Sequence, residues 1–502
     1  MAWRFANLGA RWGRQSRHIY VLAAGGISIP LHRNIVSNED MKTNQSVKQP
    51  IGKVNVDASN LIPFHLSTWT KIQEGLPDER KVNKQLNPMA EKYTGMNFVN
   101  PDELVMGHII RNDSKASHRR QEIKNGCVRA NAGRDIYWQP EQVNVAIVTC
   151  GGLCPGLNSI IRELTNVLWY DYDVKNITGM TGGYNGLSNP EEFEPVKLNP
   201  DIVREIHLKG GSVLKAGRGG FDAVKICDNL TKMGINMLFV VGGDGTQAAG
   251  AKIFEEARKR DLKVSIIGVP KSIDNDVLFI DKTFGFESAV ATASDIIRNA
   301  WIEARSCENG VGVVKLMGRD AGFIAAHAAL ASTLVDVILV PEVNFKLQDV
   351  HAHVWNCLKR KGHCVVVVAE GAGQEYVATG KLDGTGHTVY GDIGIFMRDS
   401  LNGYLKSKGG RCFYIDPSYI IRSCPIRPND HIYCLRLSSD AVHTAMRGYS
   451  GVCVGALHNV ICIFPSSLIA SGKRKMNVKD ANWQNAVHRA KMPPALSGYT
   501  SA

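Results

Sequence analysis

The chain contains no C-x-x-C pair, although twelve cysteines lie among its 502 residues. They are scattered from Cys127 to Cys462, a distribution that argues against a zinc site or a disulfide framework and is typical of reduced thiols in a cytosol-like compartment. No apolar run approaches the roughly eighteen residues that a bilayer span requires. The sequence also lacks an internal duplication. These absences argue against a membrane-spanning protein, a disulfide-rich module and a chain made of two duplicated halves.

Acidic residues are absent from residues 1–38, which hold five arginines. Such a segment is typical of a transit peptide, and it is equally compatible with a disordered leader. We therefore expect a cytoplasmic protein, with an organelle (plastid, mitochondrion or other) as the alternative if residues 1–38 act as a targeting peptide. The net charge of +12 is spread along the chain without basic runs interleaved with aromatics, so we predict no nucleic-acid partner and expect anionic substrates.

Two carboxylates flank one asparagine in the segment I-D-N-D (residues 273–276), which follows an apolar run at 264–269. Aspartates are seldom buried without a partner, and the carboxyl ends of strands are where α/β sheets place their chemistry. A lone aspartate at this place is more often an Asx-turn that caps the next helix. The functional interpretation of this motif depends on a second motif that precedes it in the chain.

A glycine-rich turn, G-G-D-G-T (residues 242–246), follows another apolar strand and precedes a helical stretch. The glycines let backbone N–H groups approach a polyphosphate, and a helix N-terminus adds partial positive charge. Asp244 suits Mg²⁺, a hard cation that binds carboxylate and phosphate oxygens together. A second glycine turn, C-G-G-L-C-P-G (residues 150–156), repeats this arrangement and indicates a second phosphate-binding loop.

Further motifs accompany these three in a fixed order along the chain. They are G-G-Y-N-G-L (182–187), K-A-G-R-G-G (215–220), K-L-M-G-R-D-A-G (315–322), V-V-A-E-G (367–371) and Y-I-D-P-S-Y-I-I-R-S (414–423). From residue 144 to about residue 465, the chain resembles the phosphofructokinase family, in the ATP-dependent branch of plants and kinetoplastids.

The resemblance implies an α/β fold with two Rossmann-like lobes, one for the nucleotide and one for the sugar phosphate, built on mainly parallel doubly wound sheets. The alternation of apolar runs and amphipathic stretches predicts the same class. We expect strands at 144–150, 237–242, 264–269, 311–316, 337–340 and 364–369, and helices at 158–168, 247–259, 287–303 and 321–332. The predicted divisions are a flexible or targeting leader (1–60), an N-terminal extension (61–143), a catalytic core (144–465) and a C-terminal tail on the surface (466–502).

The resemblance further implies ATP-dependent phosphorylation of D-fructose 6-phosphate to fructose 1,6-bisphosphate, the committing step of glycolysis, with Mg²⁺. Asp274 is expected to be the base for the sugar C1 hydroxyl, Asp276 to orient the site or support the metal, and Asp244 to bind Mg²⁺. The residues expected to bind the sugar phosphate are Ser272, Ile273, Asp274, Met317, Gly318, Arg319, Glu370, Tyr419 and Arg422. Those expected to bind the nucleotide are Gly151, Gly152, Arg218, Gly219, Gly243, Asp244, Gly245, Thr246 and Lys271.

A homo-oligomer, a dimer or tetramer, is also expected, but the sequence leaves open whether neighbouring subunits share a site. Gly310 stands where some bacterial members carry an arginine that reaches the neighbouring subunit. A second C-terminal arginine of the family has no secure counterpart here, and His431 and Arg436 are the candidates.

Two positions point to different phosphoryl donors. Pyrophosphate-using relatives carry Asp at the position of Gly245 and Lys at the position of Lys271. Gly245 leaves room for the rest of a nucleotide, whereas a carboxylate would fill that space and repel phosphate, so we predict ATP as the donor. The alternatives are a pyrophosphate-dependent enzyme and a non-catalytic subunit that binds sugar phosphates; the latter would be expected to lack Asp274 or Asp244. NAD kinases and lipid kinases share the G-G-D-G-T turn but lack the other motifs.

Overall fold

The computed structural model describes residues 85–92, 98–99, 103–106, 126–378, 380 and 389–499. The chain divides into two units, Met1–Leu61 and Ile62–Ala502. The first unit, and with it the predicted leader, lies outside the described residues. Within the described residues no helix is both long enough and apolar enough to cross a membrane.

Fifteen strands lie in the described part of the chain. They are β1 (Gln85–Leu86), β2 (Leu104–Met106), β3 (Gly126–Arg129), β4 (Asp135–Ile136), β5 (Asn144–Thr149), β6 (Asn176–Met180), β7 (Val196–Lys197), β8 (Met237–Gly242), β9 (Ser265–Pro270), β10 (Gly310–Leu316), β11 (Val337–Leu339), β12 (His363–Ala369), β13 (Arg411–Ile415), β14 (Val452–Leu457) and β15 (Val460–Pro465). Nine form a mixed sheet in the order β2-β3-β15-β14-β9-β8-β5-β6-β7, and four form a second sheet in the order β11-β12-β10-β13.

The centre of the large sheet, from β14 to β6, is parallel, while β7, β15, β3 and β2 add antiparallel edges. The small sheet is parallel throughout. This architecture confirms the predicted α/β class with two Rossmann-like sheets. The large sheet is more mixed than the resemblance suggested, because β15 turns back from β14 as a hairpin and β3 pairs onto it.

The α-helices of the described residues cover the two sheets. They are α1 (Met89–Lys92), α2 (Leu157–Asn166), α3 (Tyr184–Ser188), α4 (Pro200–Val203), α5 (Ala223–Lys232), α6 (Asp244–Lys259), α7 (Phe286–Arg305), α8 (Phe323–Ser332), α9 (Leu347–Lys361), α10 (Ile393–Leu405), α11 (Ser418–Ser423), α12 (Pro428–Met446), α13 (Ser466–Ile469), α14 (Ala481–Ala490) and α15 (Pro494–Ser497). A short π-helical turn, Val167–Asp171, continues α2.

The large sheet is buried on both faces, which explains its continuous apolar strands. Along β5, Val145 and Ile147 join the core on one face of the sheet, whereas Ala146 and Val148 join the core on the other. The small sheet has its own core, in which the run Cys364 to Ala369 of β12 is fully buried. Each sheet therefore has the covered-on-both-faces pattern of a doubly wound fold.

All six predicted strands are present, and none differs from its predicted bounds by more than one residue. The predicted helices are present as well, with one shift that affects the site: α6 begins at Asp244 instead of residue 247. Asp244, Gly245 and Thr246 therefore form the first turn of the helix rather than the loop before it.

The expectation that the C-terminal segment returns to the surface is wrong. Trp483 of α14 is fully buried in the core of the small sheet, and its Nε1 donates to the Ser497 carbonyl oxygen at 2.9 Å. Trp483, Ala486, Val487 and Ala490 are buried along α14, and their three- and four-residue spacing places them on one helix face. The expectation of a surface segment rested on the basic residues near its start and overlooked this apolar face.

Candidate active site

Most of the predicted site residues lie after the carboxyl ends of parallel strands in both sheets. In the large sheet they follow β5, β8 and β9, and in the small sheet they follow β10, β12 and β13. Arg218 and Gly219 come instead from the segment after β7, which a parallel bridge between Cys150 and Gly217 holds beside the end of β5. Ligands of open α/β sheets bind at this end of the strands. The two sets line two contiguous cavities.

The first cavity has a volume of about 540 Å³ and is called the sugar cavity below. The predicted substrate residues on its wall are Ser272, Ile273, Asp274, Met317, Arg319, Glu370, Tyr419 and Arg422. Of the predicted set, Gly318 is not on the wall of this cavity. Its φ of 135° suits glycine alone, and its carbonyl accepts the Gly371 N–H at 2.9 Å, so Gly318 shapes the loop that carries Arg319.

The second cavity has a volume of about 700 Å³ and is called the nucleotide cavity. All nine predicted nucleotide residues line it, with Gly151, Gly219, Gly245 and Thr246 on this cavity alone. Seven residues line both cavities, namely Gly152, Arg218, Gly243, Asp244, Lys271, Arg319 and Lys473. The two cavities therefore meet at a junction that carries four cationic side chains and one carboxylate.

Asp274 lies on the wall of the sugar cavity, and its Oδ1 is shielded from solvent. Its Oδ1 has no hydrogen-bond partner among the described residues, and the backbone N–H of Arg319 is directed at the same carboxyl group. Burial, followed by the negative charges of Asp276 and Glu370, raises the pKa of Asp274 to about 7. A carboxylate that lines a cavity and has a pKa near neutrality is suited to take a proton.

Asp276 is buried and accepts a hydrogen bond from the Ser272 hydroxyl. Between the two aspartates, Asn275 has a φ of 59°, a left-handed conformation that Asn tolerates better than most residues. Its Oδ1 accepts the Thr283 N–H at 2.9 Å. These bonds fix the backbone that presents both carboxylates.

Asp244 stands in the first turn of α6, where the helix terminus adds positive potential. Burial, and then the charge of Asp276, raise the pKa of Asp244 to about 6. Next to it, a Cβ built at Gly245 would meet no atom within 4 Å. The wall of the nucleotide cavity is therefore open at Gly245.

Lys271 connects the first glycine turn to the I-D-N-D motif. It is buried, and its Nζ donates to the Gly152 carbonyl oxygen at 2.7 Å. Burial lowers the pKa of its ammonium. Lys271 thus supplies a fixed cation at the junction of the cavities and holds two of its loops together.

Two arginine side chains on the wall of the sugar cavity are supported by aromatic rings. The guanidinium of Arg422 lies 4.9 Å from the ring centre of Tyr419, and Arg422 Nε donates to the Ser418 carbonyl at 3.3 Å. The Arg319 guanidinium lies 4.8 Å from the ring centre of Tyr390. Stacking of this kind holds a guanidinium in place, and a guanidinium binds anions through several N–H donors.

Sequence reasoning did not identify Lys315, Asp416, Tyr390 or Lys473 as site residues. Lys315 lines the sugar cavity with Asp416, and its Nζ lies 2.8 Å from Asp416 and 2.9 Å from Asp392. Its place at the start of the K-L-M-G-R motif is a usable signal. Lys473 is distant in sequence from every motif, and the sequence carried no signal for it.

The candidates for a second phosphate-binding cation lie outside the sugar cavity. His431 contacts the Ser159 hydroxyl at 3.2 Å, and Arg436 donates to Asn459 at 2.6 Å. Neither is among the residues on the cavity wall, and Gly310 opens β10 inside the small sheet.

The sequence profile of the phosphofructokinase family matches residues 144–445. The chain belongs to this family. Similar relatives named ATP-dependent 6-phosphofructokinase include that of Borreliella burgdorferi, 40% identical over 82% of this chain and 95% of the relative. The form named 5, chloroplastic, from Arabidopsis thaliana is 41% identical over 81% of this chain and 77% of the relative. The Trypanosoma brucei brucei protein is 37% identical over 85% and 89%.

Solved structures of phosphofructokinases share the fold of this member of the family. The pyrophosphate-dependent phosphofructokinase from Marinobacter aquaeolei has a TM-score of 0.59 at 21% identity, covering 71% of this chain and 92% of the other. Pichia pastoris phosphofructokinase in the T-state has a TM-score of 0.54 at 21% identity, covering 72% of this chain and 38% of the other. At this identity the likeness concerns the fold and not the phosphoryl donor.

Proposed function

We propose that the chain is an ATP-dependent 6-phosphofructokinase, which transfers the terminal phosphoryl group of ATP to the C1 hydroxyl of fructose 6-phosphate. The observation that carries the proposal is the pair of contiguous cavities, one with the shielded Asp274 and the other open at Gly245. Relatives between 37% and 42% identical to this chain bear the same activity in their names. The product, fructose 1,6-bisphosphate, makes the reaction the committing step of glycolysis.

Asp274 is placed to act as the general base. Phosphoryl transfer needs little covalent help from the protein and depends on positioning the nucleophile and stabilising charge. Asp274 lines the sugar cavity, and its carboxylate would accept the C1 hydroxyl proton of a sugar bound there. Asp276, fixed by Ser272, orients the segment and supports a metal ion.

The cations of the sugar cavity define how the substrate is oriented. Arg422, stacked on Tyr419, and Arg319 lie on its wall, and guanidinium groups bind phosphate oxygens through two parallel hydrogen bonds. Arg422 would hold the 6-phosphate, while Glu370 accepts a sugar hydroxyl. Anchoring the 6-phosphate directs the opposite end of the sugar, C1, toward the junction.

Magnesium is the metal that the carboxylates fit. The carboxylates of Asp244 and Asp276 already share one cation, the Lys473 ammonium, at 3.8 and 3.4 Å. Within the described residues, no three His, Cys, Asp or Glu side chains are arranged to hold a metal by themselves. Mg²⁺ usually binds to one or two carboxylates together with substrate phosphates. Asp244 and Asp276 would supply the carboxylates of such a site. When bound, it would neutralise charge on the donor phosphates.

Two rival functions are weaker on specific grounds. A pyrophosphate-dependent enzyme is expected to close the nucleotide cavity with an acid at residue 245, where this chain has open space. A non-catalytic sugar-phosphate-binding subunit has no need for a shielded, unpartnered carboxylate, yet Asp274 provides one. A coupled assay with ATP or pyrophosphate as the donor distinguishes both rivals from the proposed enzyme.

We also propose a homo-oligomer, a dimer or tetramer, in the cytoplasm. Tyr419 of α11 is 81% exposed beside the sugar cavity, and tyrosine is enriched at protein interfaces. An organelle is the alternative, since two relatives are named chloroplastic. The Arg-rich residues 1–38 that would decide the compartment lie outside the described residues.

Replacing Arg422 by alanine is expected to raise the KM for fructose 6-phosphate roughly 10- to 100-fold, because a charge-assisted bond to phosphate contributes on the order of 1.5–3 kcal/mol. The KM for ATP should barely change. Steady-state kinetics with each substrate varied in turn measures both constants.

The matched control is Arg427→Ala, which removes an exposed arginine paired with Asp295 at 3.5 Å and should leave both constants unchanged. Fructose without the 6-phosphate should be a poor substrate for the wild type, and Arg422→Ala should not change its rate. Weaker ATP binding with intact fructose 6-phosphate binding would contradict the assignment of Arg422.

A further inference from the structure

The ammonium of Lys473 lies at the point where the two cavities meet. Its Nζ is 2.5 Å from Asp320, 3.4 Å from Asp276 and 3.8 Å from Asp244, measured to the nearest carboxylate oxygen in each case. Lys473 lines both cavities, and it lies beyond residue 445, where the match to the family profile ends. The C-terminal segment thus delivers a cation to the centre of the site.

A β-bridge and several hydrogen bonds hold the segment around Lys473 in place. Lys473 pairs with Val277 in an isolated antiparallel bridge, and the Arg474 N–H donates to the Asp276 carbonyl at 2.7 Å. The Arg474 guanidinium donates to the carbonyl oxygens of Asn275 and Ile280, at 2.8 Å each. The segment is therefore hydrogen-bonded to the backbone that carries Asp274 and Asp276. These bonds fix the position of the Lys473 backbone.

The three carboxylates hold Lys473 unequally. Asp320 is close enough for a strong charge-assisted hydrogen bond, and it is not one of the residues expected to hold the metal. The contacts to Asp276 and Asp244 are longer than ordinary hydrogen bonds. The ammonium can keep Asp320 as its anchor while those two carboxylates serve another cation.

We propose that Lys473 is a further catalytic residue, whose ammonium contacts the transferring phosphoryl group between the nucleotide and the sugar. The inference rests on the proposed kinase function and extends it to the C-terminal segment. An ammonium is a compact charge with three donors, so one can remain on Asp320 while the others bind phosphoryl oxygens. Charge on those oxygens must be neutralised as the group passes from donor to acceptor.

The test uses Lys473→Met in the full chain. Removal of one preorganised donor of this kind typically costs about 10²–10³-fold in kcat, so we expect a loss in that range with the KM for fructose 6-phosphate nearly unchanged. A binding readout accompanies it: by calorimetry, the non-hydrolysable β,γ-imido analogue of ATP should bind roughly tenfold more weakly, whereas ADP should bind within about twofold of wild type.

Lys475→Met is the matched control, since it removes an equal charge from an exposed position in the same segment and should behave as wild type. Lys473→Arg keeps the charge, and it should recover much of the preference for the ATP analogue even if the methionine variant folds poorly. Equal weakening of ADP and the analogue, or an unchanged kcat, in Lys473→Met would overturn the inference. A wild-type protein without kinase activity would instead overturn the proposed function.

Discussion

Replacement of Asp274 by asparagine is expected to lower kcat by roughly 10²–10⁴-fold, the usual cost of removing a positioned general base. The affinity for fructose 6-phosphate should stay within a small factor, because the amide has nearly the same shape and the 6-phosphate is held at the other end of the cavity. The carboxylate is shielded and its Oδ1 is unpartnered, so the variant loses no protein hydrogen bond at that atom. Single-turnover kinetics together with equilibrium binding of the sugar phosphate separates the two effects.

The control for this variant is Asp201→Asn, which neutralises a carboxylate whose side chain is 82% exposed on α4 and should leave kcat unchanged. If Asp274→Asn kept its kcat and lost only affinity, Asp274 would be a binding residue and the base would lie elsewhere. Loss of kcat and affinity by the same factor would indicate general disruption of the cavity.

Gly245→Asp is expected to abolish the use of ATP. A Cβ at residue 245 would meet no atom within 4 Å, so the fold should tolerate the substitution and the carboxylate should project into the nucleotide cavity. There it would occupy the path of the nucleotide and repel its phosphates. The rate with Mg-ATP, and the binding of ADP measured by calorimetry, report the two consequences.

Gly245→Ala is the matched control, because it adds the Cβ without the charge at the same open position. It should keep most of the activity with ATP. An Asp variant that binds and uses ATP as well as wild type would show that the nucleotide does not pass residue 245, and the steric argument for the donor would fail.

The parts of the fold that the sequence predicted are those with strong local patterns. β8 and β12 are continuous apolar runs. Each run ends at a glycine or a polar residue, so its bounds follow directly from the sequence. The start of α6 was placed too late, because two glycines around Asp244 suggest a turn. In the folded chain, the N–H groups of Thr246 and Gln247 both bond to the Gly243 carbonyl, at 2.8 and 2.9 Å, which extends the helix back to Asp244.

The site residues that belong to motifs at strand ends were predictable from the sequence. The resemblance named residues that the structure gathers around two cavities, although their individual roles stay predictions. Lys473 was not predictable, since its position depends on the bridge to Val277 and on a long-range ion pair with Asp320. Contacts of this kind arise from tertiary packing, for which no local pattern exists.

One coupled assay of the purified full chain with fructose 6-phosphate and Mg²⁺, offered either ATP or pyrophosphate, decides which phosphoryl donor the protein uses. Formation of fructose 1,6-bisphosphate is followed for each donor under otherwise identical conditions. The open nucleotide cavity at Gly245 predicts rapid turnover with ATP and little with pyrophosphate. Turnover with pyrophosphate equal to or greater than that with ATP, or no turnover with either donor, would contradict the account.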